Sequence, residues 1–323
     1  MAGILCGTVA HAIAPDETEY SDKAPLAAHS LLLDGVAIED RIVVVGQWGH
    51  ILISDDNGQS WHQVDVPTRA MLTAVFFFDR KLGWAVGHDA IILRTHDGGE
   101  TWERVYYAPE EERPLFDVWF RDAEHGFAIG AYGLLLRTTD GGDTWSLSEV
   151  GGKDWTEASD DFGEGSDFHL NHIARSDTGR LYVAAEAGKI YRSDDDGESW
   201  ISLPSPYHGS FFGTLPLDND ALLLFGLRGH LYRSENAGES WQRVETSTEA
   251  MLTDGMQLED GTIVVAGLAG TLLVSRDGGR TFTLHQQADR QGLATIVEAD
   301  DGSLILIGEF GATRLPETLG AGE

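Results

Sequence analysis

The chain has 323 residues, 42% of them hydrophobic, and a formal charge of −31 from 53 acidic against 22 basic side chains. The apolar share supports a sizeable core and excludes wholesale disorder, while the charge repels phosphate backbones, so no nucleic-acid partner is expected. A single cysteine, Cys6, excludes an intrachain disulfide and every paired-cysteine metal or redox motif.

The first stretch, "MAGILCGTVAHAIAPDE", is a short apolar run ending in small residues, with Ala-His-Ala and Ala-Ile-Ala as cleavage signals. It reads as a signal-peptide remnant over residues 1–14 whose basic start is missing, and it predicts export to the periplasm or beyond. No later segment approaches the ~18 apolar residues of a membrane helix, so direct insertion is not expected.

From there the chain repeats. Six boxes of the form Ser/Thr-x-Asp-x-Gly-x-Ser/Thr-Trp/Phe begin at Ser54, Thr95, Thr138, Ser193, Ser234 and Ser275. A two-residue loop, usually flanked by glycine, precedes each box and starts after Gly46, Gly87, Gly130, Ala185, Gly226, Gly267 and Gly308. An apolar marker falls 15 positions earlier, at Leu31, Leu72, Leu115, Leu170, Phe211, Leu252 and Leu293. Two of the three markers therefore count seven units. Within the second unit, Leu72–Phe77, "GWAVG", "AIILRT" and "TWERVY" are four short β-rich runs joined by turns. Sustained helical periodicity is absent. Seven such meanders predict an all-β, seven-bladed propeller of four-stranded antiparallel blades over residues 15–316, with 317–323 as a flexible tail. The box aromatic precedes the next marker by 11 residues; counting back from Leu31 gives Tyr20. Residues around Thr18–Lys23 are therefore expected to supply the outer strand of the last blade.

Each box position has a mechanical job. Asp accepts backbone N–H groups of its own turn, Gly permits positive φ, and the aromatic packs beneath. The copies at Asp56, Asp97, Asp140, Asp195 and Asp277 share this chemistry, and Asn236 replaces the carboxylate in the fifth. An uncharged copy argues for a turn staple and against catalysis. The calcium-loop reading lacks the bidentate Glu of that motif. The pattern is the Asp-box, or bacterial neuraminidase repeat. With "GWAVG", "GFAIG" and the stretch "LTAVFFFDRKLGWAVGHDAIILRTHDGGETW", it resembles the photosynthesis system II assembly factor family of seven-bladed propellers, from about Tyr20 to Leu315. The resemblance implies a non-enzymatic assembly or scaffolding factor, outside the cytoplasm and beside a membrane.

Two insertions locate a working face. The step from box aromatic to next marker is 13 residues after Trp102 and 25 after Trp145. Both lie between an outer strand and the next inner strand, on the face of the glycine-flanked hairpins and opposite the boxes. Functional variation sits in loops on rigid scaffolds. The candidate partner-binding residues are Trp48, Arg69, His88, Asp89, Arg113, Tyr132, Glu186, Tyr207, His208, Arg228, Arg290 and Phe310, a mixture of aromatics and arginines suited to protein recognition. Trp48 and Phe310 could instead pack between blades, and Phe211 reads as core. Arg94, Arg137, Arg192, Arg233 and Arg314 recur at one position and read as structural. The acidic insertion over 151–169 carries Asp160, Asp161, Glu164 and Asp167 and is read as a solvated loop, with cation binding as the alternative. His169 and His172 should point to opposite faces, so no shared metal is expected.

The resulting expectation is a monomeric, exported propeller without cofactor, metal or catalytic residues, recognising a membrane-associated protein. A sialidase-like glycosidase and a cation- or ligand-binding channel are the alternatives. The Arg-Ile-Pro signature of sialidases is missing, and no GxSxG, HExxH or phosphate loop occurs.

Overall fold

Alternating apolar runs and polar turns pair with their sequence neighbours, which needs only local turn geometry. A computed structural model describes residues 18–148 and 168–315. It forms seven sheets, spanning residues 32–63, 72–106, 115–148, 170–202, 211–244, 252–286 and 293–314. These are blades 1 to 7 in order. Blades 1 to 6 have four antiparallel strands in sequence order; blade 7 has three among the described residues. The acidic residues 160, 161, 164 and 167, residues 1–14 and residues 317–323 lie outside the described residues.

The core is a ring of seven interfaces. Each hydrophobic cluster joins two neighbouring blades: Val43, Ile51 and Ile53 meet Val75, Phe77 and Trp102 between blades 1 and 2. Ile42, Val44 and Leu52 meet Val297, Ile305 and Ile307 between blades 1 and 7. That last cluster closes the ring. Radial packing of this kind leaves only short, perimeter edges unpaired.

Two details differ from the sequence expectation. Residues Thr18–Lys23 do not form the last strand of blade 7. The Ser21 N–H instead donates to the Val66 carbonyl of blade 1 at 2.9 Å. The next stretch does reach blade 7: Ala24, Ala27 and Ala28 join the closing cluster. Ala28 lies over Gly311 where Thr68 lies over Gly49 and Thr248 over Gly229. Among the described residues the chain thus enters the ring as an outer-to-inner loop, without the strand before it. Second, the blade 1 marker is Leu32 and not Leu31. Leu32 is fully buried and pairs with Gly46, as Leu72 does with Gly87. A two-residue turn, Glu39-Asp40, shortens the unit by one residue and moves the register.

A polar belt ties the inner strands together around the axis. These strands are not paired, so side chains bridge them. Asp34 accepts the Val75 N–H at 2.8 Å, Asp117 that of Ile173 at 2.8 Å, and Asp254 that of Ile296 at 3.2 Å. Thr73, Asn171 and Thr253 donate to the carbonyls of Leu115, Phe211 and Leu293. Burial pushes the Asp34 carboxyl well above the ordinary carboxylate range, and repulsion from Asp117 and Asp254 adds to it. Burial raises Asp117 likewise, against the pull of His172.

The boxes are staples and latches. In the second box the Thr95 hydroxyl donates to Asp97 at 2.8 Å and accepts the Gly99 N–H at 3.0 Å. Asp97 also takes the Thr101 N–H at 2.9 Å and hydroxyl at 2.6 Å. The same bonds recur in the other copies. In the fifth, the Asn236 oxygen takes the Ser240 N–H at 3.0 Å while its amide donates to the Ser240 hydroxyl at 3.0 Å. Hydrogen bonds from Ser60 and Ser54 hold Asp56 down to about 2. Outward from four of the six boxes, a carbonyl accepts an arginine of the preceding blade. Arg41 reaches Gly98 at 2.9 Å, Arg94 reaches Gly141 at 3.1 Å, Arg192 reaches Ala237 at 3.0 Å and Arg233 reaches Gly278 at 2.8 Å. Of the recurring arginines, Arg94, Arg192 and Arg233 are therefore inter-blade fasteners, Arg137 reaches the Glu198 carboxylate of the next blade at 3.0 Å, and Arg314 stays within blade 7 on Asp301.

Candidate partner-binding face

On the other face each blade joins its second and third strands by a tight hairpin. Its first residue is a glycine fixed by a close approach in every blade but the fourth, which has Ala185. A Cβ on Gly46, Gly87, Gly130, Gly226 or Gly308 would collide with the carbonyl of the incoming loop, which at Gly87 is that of Met71. The neighbouring N–H uses the same carbonyl, His88 donating to Met71 at 2.9 Å. Hairpin and outer-to-inner loop are thus locked together, on the side away from the boxes.

The next residue but one stands at the tip in the left-handed region: Trp48 at φ 58°, Asp89 at 60°, Tyr132 at 54°, Ala187 at 53°, Arg228 at 57° and Ala269 at 56°. Such φ values cost non-glycine residues roughly 1 kcal/mol each. Here the locked hairpin enforces them and aims each tip side chain at solvent. The blade 7 hairpin is one residue shorter, with Glu309 and Phe310 between the paired Gly308 and Gly311. Trp48 is 65% exposed, Tyr132 53% and Phe310 54%, so none of them is buried between blades.

The remaining candidates divide into free and engaged. His88, Asp89, His208, Arg228 and Arg290 are exposed. Tyr132 and Glu186, from neighbouring blades, meet at His169. Tyr132 packs edge-on to the His169 ring at 5.1 Å, and Glu186 accepts the His169 N–H at 3.1 Å. His172, by contrast, turns to the belt and lies 3.9 Å from Asp117. Tyr207 is half-buried and packs edge-on to His230 at 4.2 Å. Burial, with Arg243 and Arg228 nearby, lowers the His230 pKa and keeps that ring neutral. Arg113 is paired with Glu111. Arg69 is engaged by the N-terminal segment, donating to the Tyr20 carbonyl at 3.0 Å and to Asp22 at 3.2 Å. Phe211 is fully buried, as read.

Sequence reasoning missed Leu268, 39% exposed beside the blade 6 tip, and Gln63, whose side-chain amide binds the N-terminal segment. The hairpin register that found Trp48 would have found Leu268. Gln63 carried no such signal. Among the described residues no three His, Cys, Asp or Glu side chains converge as a metal site would require, and no helix is long and apolar enough to cross a membrane.

The sequence model of the family described as photosynthesis system II assembly factor YCF48 matches residues 53–147 and 107–262. The photosystem II assembly lipoprotein Ycf48 of Prochlorococcus marinus (strain MIT 9312) is 40% identical over 142 residues, 43% of this chain and 38% of that protein. The photosystem II assembly protein Ycf48 of Thermosynechococcus vestitus is 44% identical over 43 residues, 13% of this chain and 12% of that protein. The chain's matches therefore span well under two thirds of these relatives' own lengths. A solved structure of YCF48 bound to D1 peptide superposes with a TM-score of 0.70 at 20% identity, covering 96% of this chain and 99% of that one. At that identity the superposition speaks for the fold alone.

Proposed function

Because this chain belongs to the photosynthesis system II assembly factor YCF48 family, we propose that it is a non-enzymatic assembly propeller whose hairpin face binds a protein partner. One observation carries the reading: locked hairpins hold Trp48, Tyr132 and Phe310 outward, each more than half exposed. Large aromatics on rigid turns lose little side-chain entropy when buried by a partner. The recurring boxes offer no comparable display, because their polar groups are consumed within the turn and by the neighbouring blade.

The partner is a polypeptide at a membrane, and the protein meets it outside the cytoplasm. Support comes from the D1 peptide in the superposed structure and from a relative named a lipoprotein. The N-terminal stretch with its cleavage signals fits the same location. Trp48, His88, Asp89, Tyr132, Glu186, Tyr207, His208, Arg228, Arg290 and Phe310 are the residues proposed to face that partner, with Arg69 and Arg113 at its margin.

The test is affinity capture from envelope extracts with the wild type and with a Trp48→Ala, Arg228→Ala variant. The specific partner should be recovered at least tenfold less by the variant, with folding unchanged. Equal recovery would place the interface elsewhere. A panel of fluorogenic glycosides should remain unhydrolysed, and clear turnover would replace the binding reading with the glycosidase one.

A further inference from the structure

Residues Thr18–Ala24 belong to no blade, yet they are held on the hairpin face by contacts that read a main chain. Arg69 donates through Nε to the Tyr20 carbonyl at 3.0 Å. Gln63 uses both ends of its amide, donating to the Asp22 carbonyl at 3.0 Å and accepting the Ala24 N–H at 2.9 Å. The Val66 carbonyl accepts the Ser21 N–H at 2.9 Å. Such contacts accept any side chain and require only an extended backbone. Charge adds selection. Arg69 faces Asp22 at 3.2 Å and Glu19 at 3.9 Å, Lys23 faces Asp65 at 3.3 Å, and Arg104 donates to the Thr18 hydroxyl at 3.1 Å.

This segment is a poor fit in two respects. Its ion pairs are solvated, Glu19 and Asp22 being 76% and 81% exposed, so each adds little. Moreover, the Ser21 hydroxyl is buried without a hydrogen-bond partner, which is unfavourable. A segment tethered to its own site has an effective concentration in the millimolar range and can occupy it despite weak intrinsic affinity. The ring does not need residues 18–23 either, since closure runs through Ala27 and Ala28, with Ala24 at the strap's inner end.

We propose that the groove of Gln63, Val66, Arg69 and Arg104 is a peptide-reading site, held in cis by the chain's own strap. A partner's extended acidic peptide, carrying a small apolar residue where Ser21 lies, takes it over. The inference rests on the reading of the hairpin face as a polypeptide-binding surface and supplies the partner's chemistry. In a chain with 31 more acidic than basic side chains, this local pair of arginines is what lets an acidic segment approach.

The experiment is a fluorescence-anisotropy titration of a dye-labelled synthetic peptide spanning residues 18–24 with Ser21→Ala. It is titrated against the full-length wild type and the full-length Glu19→Lys, Asp22→Lys variant. The strap-weakened variant should bind at least tenfold tighter than the wild type, and adding Arg69→Glu should abolish binding. The peptide that keeps serine should bind several-fold more weakly. Hydrogen exchange on the wild type gives a second readout that needs no variant: saturating peptide should strip protection from the Ser21 amide. Equal binding to wild type and variant, indifference to Arg69→Glu, or a Ser21 amide still protected at saturation would each overturn the proposal. If the groove fails while capture still depends on Trp48 and Arg228, the hairpin-face reading stands and only the groove is lost.

Discussion

The two faces of the ring are built on opposite rules. On the box face backbone and side chains both repeat: the Ser/Thr–Asp–Ser/Thr bonds of the second box recur in five others, even where Asn236 stands for Asp. On the hairpin face the backbone repeats, with six tips between φ 53° and 60°, but their side chains are Trp, Asp, Tyr, Ala, Arg and Ala. Where chemistry recurs at every unit, its cause is a need common to every unit, which is closing a turn and fastening a blade. Where a strained backbone recurs but chemistry does not, the scaffold is presenting different groups. Under the proposed function this contrast leaves structure to one face and recognition to the other.

The largest effect is expected between blades on the box side. Trp84 is fully buried, stacks on Phe120 with ring centroids 3.4 Å apart, and donates to the Gly141 carbonyl at 3.1 Å. Trp84→Ala should cost about 3–5 kcal/mol by urea denaturation, the range for truncating a buried aromatic. A loss below 1 kcal/mol would mean that the interface collapses freely around the gap and that the latch carries little. A step lower, Asp97→Ala strips the hydrogen-bond acceptor from one turn and should cost about 1–2 kcal/mol. Asp97→Asn should cost far less, because blade 5 already uses that chemistry. If the Asn variant fell as far as the Ala variant, the negative charge and not the hydrogen bonds would be what the box needs, and a purely mechanical reading of that face would break.

Much of this was legible in the sequence because a propeller repeats its constraints. Glycines at 46, 87, 130, 226 and 308 are required by a carbonyl on the incoming loop, so they keep step with the fold. The box aromatics keep step because each fills the same place under a turn; Trp102 and Trp200 both lie in the core. What failed were single-residue changes that leave composition intact. The two-residue turn Glu39-Asp40 moved the blade 1 marker to Leu32. The strap was misread as a strand because an 11-residue count finds Tyr20 whichever neighbour its backbone pairs with. At the candidate face, exposure was legible through hairpin register. The engagement of Arg69 by Glu19 and Asp22 was not, since it depends on contacts 47–50 residues apart in sequence.

A smaller, pH-dependent effect tests the belt that holds both faces in register. A carboxyl whose pKa is higher folded than unfolded stabilises the fold fully below its unfolded value and loses that contribution as pH rises through the folded one. Asp34 is such a group: burial raises it, and Asp117 and Asp254 oppose its charge. Asparagine keeps an oxygen for the Val75 N–H and removes the titration. Asp34→Asn should therefore be close to neutral near pH 4 and stabilising by about 1 kcal/mol or more at pH 8, one unit of pKa shift being about 1.4 kcal/mol. Thermal denaturation across that range checks it. A difference that does not grow with pH would show that Asp34 ionises normally and that the belt tolerates three neighbouring charges.

The smallest stability effect is expected at the tips, and it is the sharpest test of the contrast. Trp48 and Tyr132 occupy left-handed positions and are more than half exposed. Their truncation removes little buried area, so Trp48→Ala and Tyr132→Ala should each change stability by less than about 0.5 kcal/mol. Trp48→Gly should go further and stabilise slightly, because glycine adopts φ near 58° without a Cβ penalty, though its freer unfolded chain offsets part of the gain. A protein selected for stability alone would carry glycine at such tips, so large aromatics there fit the proposed partner-binding role. If Trp48→Ala instead cost more than 1 kcal/mol in urea denaturation, that side chain would be holding its own blade. The hairpin face would then be governed by the same rule as the boxes.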